Sequence, residues 1–179
     1  MTAAEQPCSF YSEDSVLAAT VATFLAPAFA ERQALIAIGT PEHLLAIEDR
    51  LRAGGHDVDG ARASGQYASL DAHWALRQLT AYGMPTAERF NAILGPHIKR
   101  ATAEYGSVRA FGEIVSLLWR DGKRQAALRL EELWNEALGY HPLALICGYN
   151  VRSFNDAADA RGVIGIINSH TNVIVPKIA

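Results

Sequence analysis

The sequence predicts a single α/β domain, a three-layer sandwich built on a mainly parallel sheet. Three observations carry that expectation. Short apolar runs of strand length alternate with longer stretches of helical periodicity along the chain, the order that parallel strands joined by crossover helices produce. The runs Ala34–Ile38 and Leu143–Cys147 are apolar at every position, as strands covered on both faces are, where a sheet with one wet face would alternate. The 179 residues, half of them hydrophobic, show no internal repeat and no composition break. A chain of that length buries roughly 70% of its unfolded surface, so it needs neither disulfides nor a structural metal to fold.

The elements follow in order. Cys8–Tyr11 is a first strand, and Ser12-Glu13-Asp14-Ser15 leads into a helix over Val16–Phe29. Ala34–Ile38 is a second strand. After it, Thr40 is a good N-cap and Pro41 suits the first helical position, so a helix is expected over Pro41–Ala53, closed by Gly54-Gly55. Tyr67–Asp71 is a third strand, followed by helical patterns over Trp74–Tyr82 and Thr86–Tyr105 with Gly83-Met84-Pro85 between them. Val108–Phe111 is a fourth strand, ended by Gly112-Glu113. Helices over Ile114–Arg120 and Lys123–Leu138 precede a fifth strand at Leu143–Tyr149 and a sixth at Val173–Val175. Ala34–Ile38, Val108–Phe111 and Leu143–Cys147 are expected to be central in the sheet.

Composition excludes several classes. Sixteen basic against nineteen acidic residues leave a net charge of −3, with no basic excess for a broad nucleic-acid footprint. No apolar run approaches the roughly 20 residues of a membrane-crossing helix. The first twelve residues, with Glu5 and no basic cluster, do not read as a signal peptide. Cys8 and Cys147 each lie in an apolar run and read as buried free thiols of a reducing compartment. The expectation is a cytoplasmic domain without a nucleic-acid or membrane partner.

Catalytic and metal signatures are missing from the pattern. There is no GxSxG elbow, the six histidines form no HxxxH or HExxH, and neither cysteine has a His or basic residue beside it in sequence. A non-enzymatic chain without cofactor or metal is therefore expected. Ligand chemistry has better candidates. In parallel sheets ligands bind outside the carboxyl ends of the strands. Glu113 directly follows the fourth strand, Tyr11 ends the first, Asp71 ends the third with His73 and Trp74 just behind it, and Asn150 follows the fifth. Glu113 would either accept hydrogen bonds from a ligand or hold an internal cation such as Arg109. His170, before the last strand, would be a hydrogen-bonding structural residue or a group titrating near neutral pH. Glu131 and Asn135, four apart on one helix face, read mainly as core packing with a solvated rim.

Several segments, taken together, resemble the MEDS domain, the methanogen/methylotroph sensory domain named after a dichloromethane-responsive regulator. They are Phe10-Tyr11-Ser12-Glu13-Asp14, Gly39-Thr40-Pro41-Glu42-His43, Leu70-Asp71-Ala72, Gly83-Met84-Pro85, the long ordered stretch from Val108 through Leu130-Glu131-Glu132-Leu133-Trp134-Asn135 to Tyr149, and His170 with Val173-Ile174. The resemblance implies a distant relative of the RecA/KaiC-like ATPase fold. It also implies a bacterial sensor of small molecules that signals through a partner such as a histidine kinase, response regulator or transcription regulator; a homodimer is compatible with it. Asn150 stands where the commoner pattern has Asp or Pro, and Leu130 where many relatives have Tyr, so this chain could prefer a different ligand.

An ATPase ancestry would place a phosphate-binding loop at Ser12–Ser15. Such a loop needs glycine-rich backbone to cradle phosphate and a lysine to meet its charge. This chain has no GxxxxGK[ST], and it sets Glu13 and Asp14 at the helix start instead. Two carboxylates at the positive end of a helix dipole would repel a triphosphate. The nucleotide site is expected to be degenerate. The expected function is small-molecule sensing at the carboxyl edge of the sheet; the alternatives are a protein-interaction module without ligand and a nucleotide-binding remnant.

Overall fold

The computed structural model describes residues 5–154 and 157–174. Strand β1 (Pro7–Tyr11) leads into α1 (Asp14–Leu25) and α2 (Pro27–Glu31). β2 (Ala34–Gly39) is followed by α3 (Pro41–Ala53) and α4 (Val58–Ala63), and β3 (Tyr67–Asp71) by α5 (Ala72–Leu79). A small antiparallel hairpin, β4 (Thr80–Ala81) and β5 (Met84–Pro85), precedes α6 (Ala87–Ile93) and α7 (Gly95–Tyr105). Then come β6 (Val108–Gly112), α8 (Ile114–Arg120), α9 (Arg124–Tyr140), β7 (Leu143–Asn150), a 3-10 turn (Val151–Ser153), α10 (Ala157–Ser169) and β8 (Asn172–Ile174).

Six strands form one sheet in the order β3-β2-β6-β7-β1-β8, and every neighbouring pair is parallel. The three runs expected in the interior of the sheet, β2, β6 and β7, lie side by side there. Each has both faces covered, which is why their sequences do not alternate. One face packs under α1 to α4 through Leu17, Val21, Leu25, Ile47 and Leu51 against Leu35, Ala37, Phe111 and Ile146. The other packs under α5 to α9 through Leu79, Phe90, Ile98, Leu118, Leu130 and Trp134 against Ile36, Ala110, Leu145 and Tyr149. This is the expected three-layer α/β architecture.

Three expected helices end or divide differently, and two further helices were not expected. The helix expected over Val16–Phe29 is two helices, because Pro27 lacks the N–H that would continue α1. The combined stretch Asp14–Glu31 is apolar enough on average to cross a membrane, but it breaks at this point, and its buried stripe of Leu17, Ala18, Val21 and Leu25 packs on the sheet. The helix expected over Trp74–Tyr82 ends at Leu79. Tyr82 and Gly83 both take positive φ, 52° and 82°, the twist of a tight two-residue hairpin between Ala81 and Met84. The helix over Thr86–Tyr105 divides before Gly95-Pro96. Helices α4 and α10 had no clear sequence signal, one for its brevity and one for its glycines. Of the sixth strand, Val173 and Ile174 lie in β8, while Val175 lies outside the described residues.

The helices after β1 and β2 go to one face, and those after β6 and β7 to the other. Adjacent strands β2 and β6, and adjacent strands β1 and β7, therefore send the chain in opposite directions. A crevice opens at the carboxyl edge where they part.

Candidate functional site

A cleft of about 350 Å³ fills that crevice. Tyr11, Glu113 and Asn150 line it together, so residues 37 to 139 positions apart in sequence converge on one surface. His43, Asp14, Ser116 and Arg120 complete the part of the wall that carries its chemistry.

Glu113 is the centre of the arrangement. It is the first residue past β6, it is 1% exposed, and its backbone N–H donates to Ile38 O at 3.1 Å, which ties it to the end of β2. One carboxylate oxygen accepts from the Thr40 backbone N–H, and the other lies 2.6 Å from His43 Nδ1. His43 sits in the first turn of α3, where Thr40 Oγ1 caps the helix by accepting from the His43 N–H at 3.4 Å. The far side of the imidazole, Nε2, meets Asp14 Oδ1 at 3.2 Å. A carboxylate–imidazole–carboxylate chain thus runs from the buried end of β6 to the exposed start of α1. The Tyr11 ring stands edge-on to the imidazole at 5.9 Å.

This arrangement fixes the protonation of the site. The hydrogen bond to Glu113 raises the His43 pKa to about 9 against the opposing effect of burial, and the Glu113 and Asp14 charges add to the rise. At neutral pH His43 is an imidazolium that neutralises Glu113, which would otherwise be an isolated buried charge. Burial, reinforced by the Glu113 and Asp14 charges, pushes the Tyr11 phenol up, so it remains a neutral donor. Asn150 donates its backbone N–H to Ser116 Oγ at 3.2 Å and caps the 3-10 turn by accepting from the Arg152 N–H at 2.9 Å.

The other sequence candidates fall elsewhere. Asp71 reaches the same edge, but its carboxylate is spent on capping α5, accepting from the Trp74 N–H at 2.8 Å; its neighbour His73 lines the cleft instead. Trp74 lies outside the cleft and is 39% exposed, because helical spacing turns it away from the buried Ala72 and Ala75. His170 also lies outside the cleft. It is packed on the opposite face of the sheet with its ring edge-on to Tyr149 at 5.9 Å. Arg109 is no partner for Glu113: it sits at the amino end of β6, held by Gln33 Oε1 at 2.8 Å and Phe24 O at 3.3 Å. Glu131 is not on a solvated rim but 3% exposed, accepting from the Tyr149 hydroxyl, with burial raising its pKa to about 7. Asn135, on the same helix, is exposed.

Sequence reasoning missed Ser116, Arg120 and, with the most consequence, His43. The signal was there: it stands in Gly39-Thr40-Pro41-Glu42-His43, at the carboxyl end of the second strand, where the same edge argument that picked Glu113 applies.

A search of curated proteins found no match to the chain. A family model, described as the methanogen/methylotroph, DcmR sensory domain, matches residues 7–171, from the first residue of β1 to the residue before β8. With that match over nearly its whole length, the chain belongs to the MEDS family of sensory domains.

Proposed function

We propose that this sensory domain detects a small polar molecule in the cleft at the carboxyl edge of its sheet and passes the event to a signalling partner, without catalysing a reaction. The observation that carries the reading is the Glu113–His43–Asp14 chain. It joins a buried strand end to an exposed helix start across a cleft large enough for a metabolite-sized ligand. A ligand that competes for His43 or Asp14 would exchange hydrogen bonds between α1 and α3. Differential affinity for the two arrangements is what lets binding shift a population. The wall, with Asp14, Glu42 and Glu113 against Arg120 and the His43 imidazolium, favours neutral hydrogen-bond donors or cations over anions.

The test is a thermal-shift screen with small amines, polyols, amides and carboxylic acids on the wild type and on Asp14→Asn. The expected result is stabilisation by amines or polyols that the substitution removes. Stabilisation retained equally in both proteins would place the ligand elsewhere. A second reading, a protein-interaction module, is favoured by one observation: Trp74, Tyr82 and Met84 are all exposed on α5 and the hairpin that follows it. Partner binding lost on Tyr82→Ala but unchanged in Asp14→Asn would support that reading instead.

A further inference from the structure

A second group of polar side chains is buried on the face of the sheet away from α1 and α3. Glu131 comes from α9, Cys147 from β7 and His170 from the turn between α10 and β8, and their potential ligand atoms all lie within 4.8 Å of one another. The Glu131 and His170 side chains are 4% and 0% exposed, and Cys147 is buried.

The tautomer of His170 follows from its neighbours. Nδ1 lies 2.6 Å from the carbonyl oxygen of Ile166, which can only accept, so Nδ1 carries the hydrogen. Nε2 then presents a lone pair. It has no hydrogen-bond partner among the described residues, and it faces Glu131 Oε2 at 3.7 Å. A lone pair set against a carboxylate oxygen repels it unless a proton or a cation lies between them. A proton would serve these two atoms alone; a cation would also engage the third donor, Cys147 Sγ. A histidine whose second nitrogen donates to a backbone carbonyl is also in the usual posture of a metal ligand.

We propose that Glu131, Cys147 and His170 form a buried site for a divalent transition-metal ion of the zinc type, held by one carboxylate oxygen, one thiolate and the imidazole Nε2. Zinc takes such nitrogen, sulfur and oxygen donors at about 2.0–2.3 Å, which sets tetrahedral ligands roughly 3.5 Å apart. The His170–Glu131 separation, 3.7 Å, is close to that value, and with every pair of ligand atoms within 4.8 Å small side-chain adjustments complete the set. Charge agrees as well: a thiolate and a carboxylate together balance one divalent cation, so the burial that now disfavours both anions would no longer oppose them. Binding releases the thiol proton of Cys147 and any proton on Glu131. The surroundings orient the ligands. Tyr149 donates its hydroxyl to Glu131 Oε1, and Gln6 Nε2 donates to Oε2 at 3.4 Å. Gln6 and Thr171 exchange two hydrogen bonds of 2.9 Å that fix the turn carrying His170. Cys8, in register with Cys147 on β1, is the neighbouring thiol.

The experiment measures zinc in the full chain after expression with added zinc and desalting, then follows cobalt(II) titration of the chelator-treated protein by absorption. The expected result is about one zinc per chain and a cobalt spectrum with tetrahedral d–d bands and a thiolate charge-transfer band. Cys147→Ser should lose the charge-transfer band, and His170→Gln should weaken cobalt binding at least ~10-fold. No retained zinc together with no thiolate band in the wild type would overturn the proposal and leave a proton shared between Glu131 and His170. Zinc lost in His43→Ala but kept in His170→Gln would overturn it too, by placing the ion in the cleft. The wild-type measurements decide the matter even if a variant fails to fold.

Discussion

Glu113 and His43, separated by 70 residues in sequence, share a 2.6 Å contact that locks the end of β6 to the first turn of α3. The pair is a consequence of parallel topology. β2 and β6 are neighbours, and both end at the same edge, so whatever follows each strand must meet there. The acid is buried and the imidazole nearly so, which makes each the other's means of keeping its charge.

Replacing Glu113 by Gln keeps the shape and removes the charge. The amide oxygen can still accept from the Thr40 N–H, but the imidazolium loses its buried counter-ion. The variant should fold with a loss of about 1–3 kcal/mol, seen as a lower midpoint in thermal unfolding. The His43 pKa, followed by NMR through its ring protons, should fall from about 9 toward 6.5. An unchanged titration would show that Asp14 alone sets the charge of His43.

The same pair makes stability depend on pH with a defined sign. His43 binds its proton more tightly folded, at about 9, than unfolded, at 6.5. The stabilisation is therefore fully present below about pH 6.5 and lost as pH rises through about 9. The whole shift corresponds to roughly 3 kcal/mol, reduced by screening because Asp14 is largely exposed. Urea unfolding at pH 6, 7.5 and 9 should show the decline, and His43→Gln should flatten it over that window.

Gly148 offers a purely steric check on the packing behind the cleft. A Cβ built there would stand 2.9 Å from Leu17 Cδ1 and 3.2 Å from Phe111 Cε2. Leu17 and Phe111 are both 0% exposed, so neither has room to retreat. Gly148→Ala should cost about 1–3 kcal/mol, read from chemical denaturation. Gly139→Ala, which meets nothing within 4 Å on the last turn of α9, should be neutral or mildly stabilising.

β2, β6 and β7 were legible in the sequence because full burial erases alternation, and α3 because Thr40, Pro41 and Gly54 mark its ends. Tyr11, Glu113 and Asn150 were legible as neighbours around one cleft for a topological reason: strand ends share an edge. Trp74 was misplaced because a position just past a strand says nothing about which side of the next helix faces the cleft. His170 falls outside the cleft because position before the last strand says nothing about its neighbours, and Glu131 and Cys147 lie 39 and 23 residues earlier on separate elements. The turn at Tyr82-Gly83 was hidden because a tyrosine with positive φ has no compositional signature.

Nucleotide binding at this edge depends on the start of α1. In a phosphate-binding loop the first helical turn offers bare N–H groups to the ligand. Here Glu13 stands at the N-cap and Asp14 opens the helix, with Glu42 and Glu113 on the same edge. The imidazolium of His43 is already held between Asp14 and Glu113, and the Arg120 Nε is 3.5 Å from Asp121. The positive charge at this edge is thus largely engaged, while the helix dipole is met by carboxylates of the chain itself. Calorimetric titration with ATP and magnesium should show affinity no tighter than about millimolar, and hydrolysis should stay at background. A micromolar site would mean that phosphate displaces Asp14 from His43, and would make a nucleotide the molecule this cleft recognises.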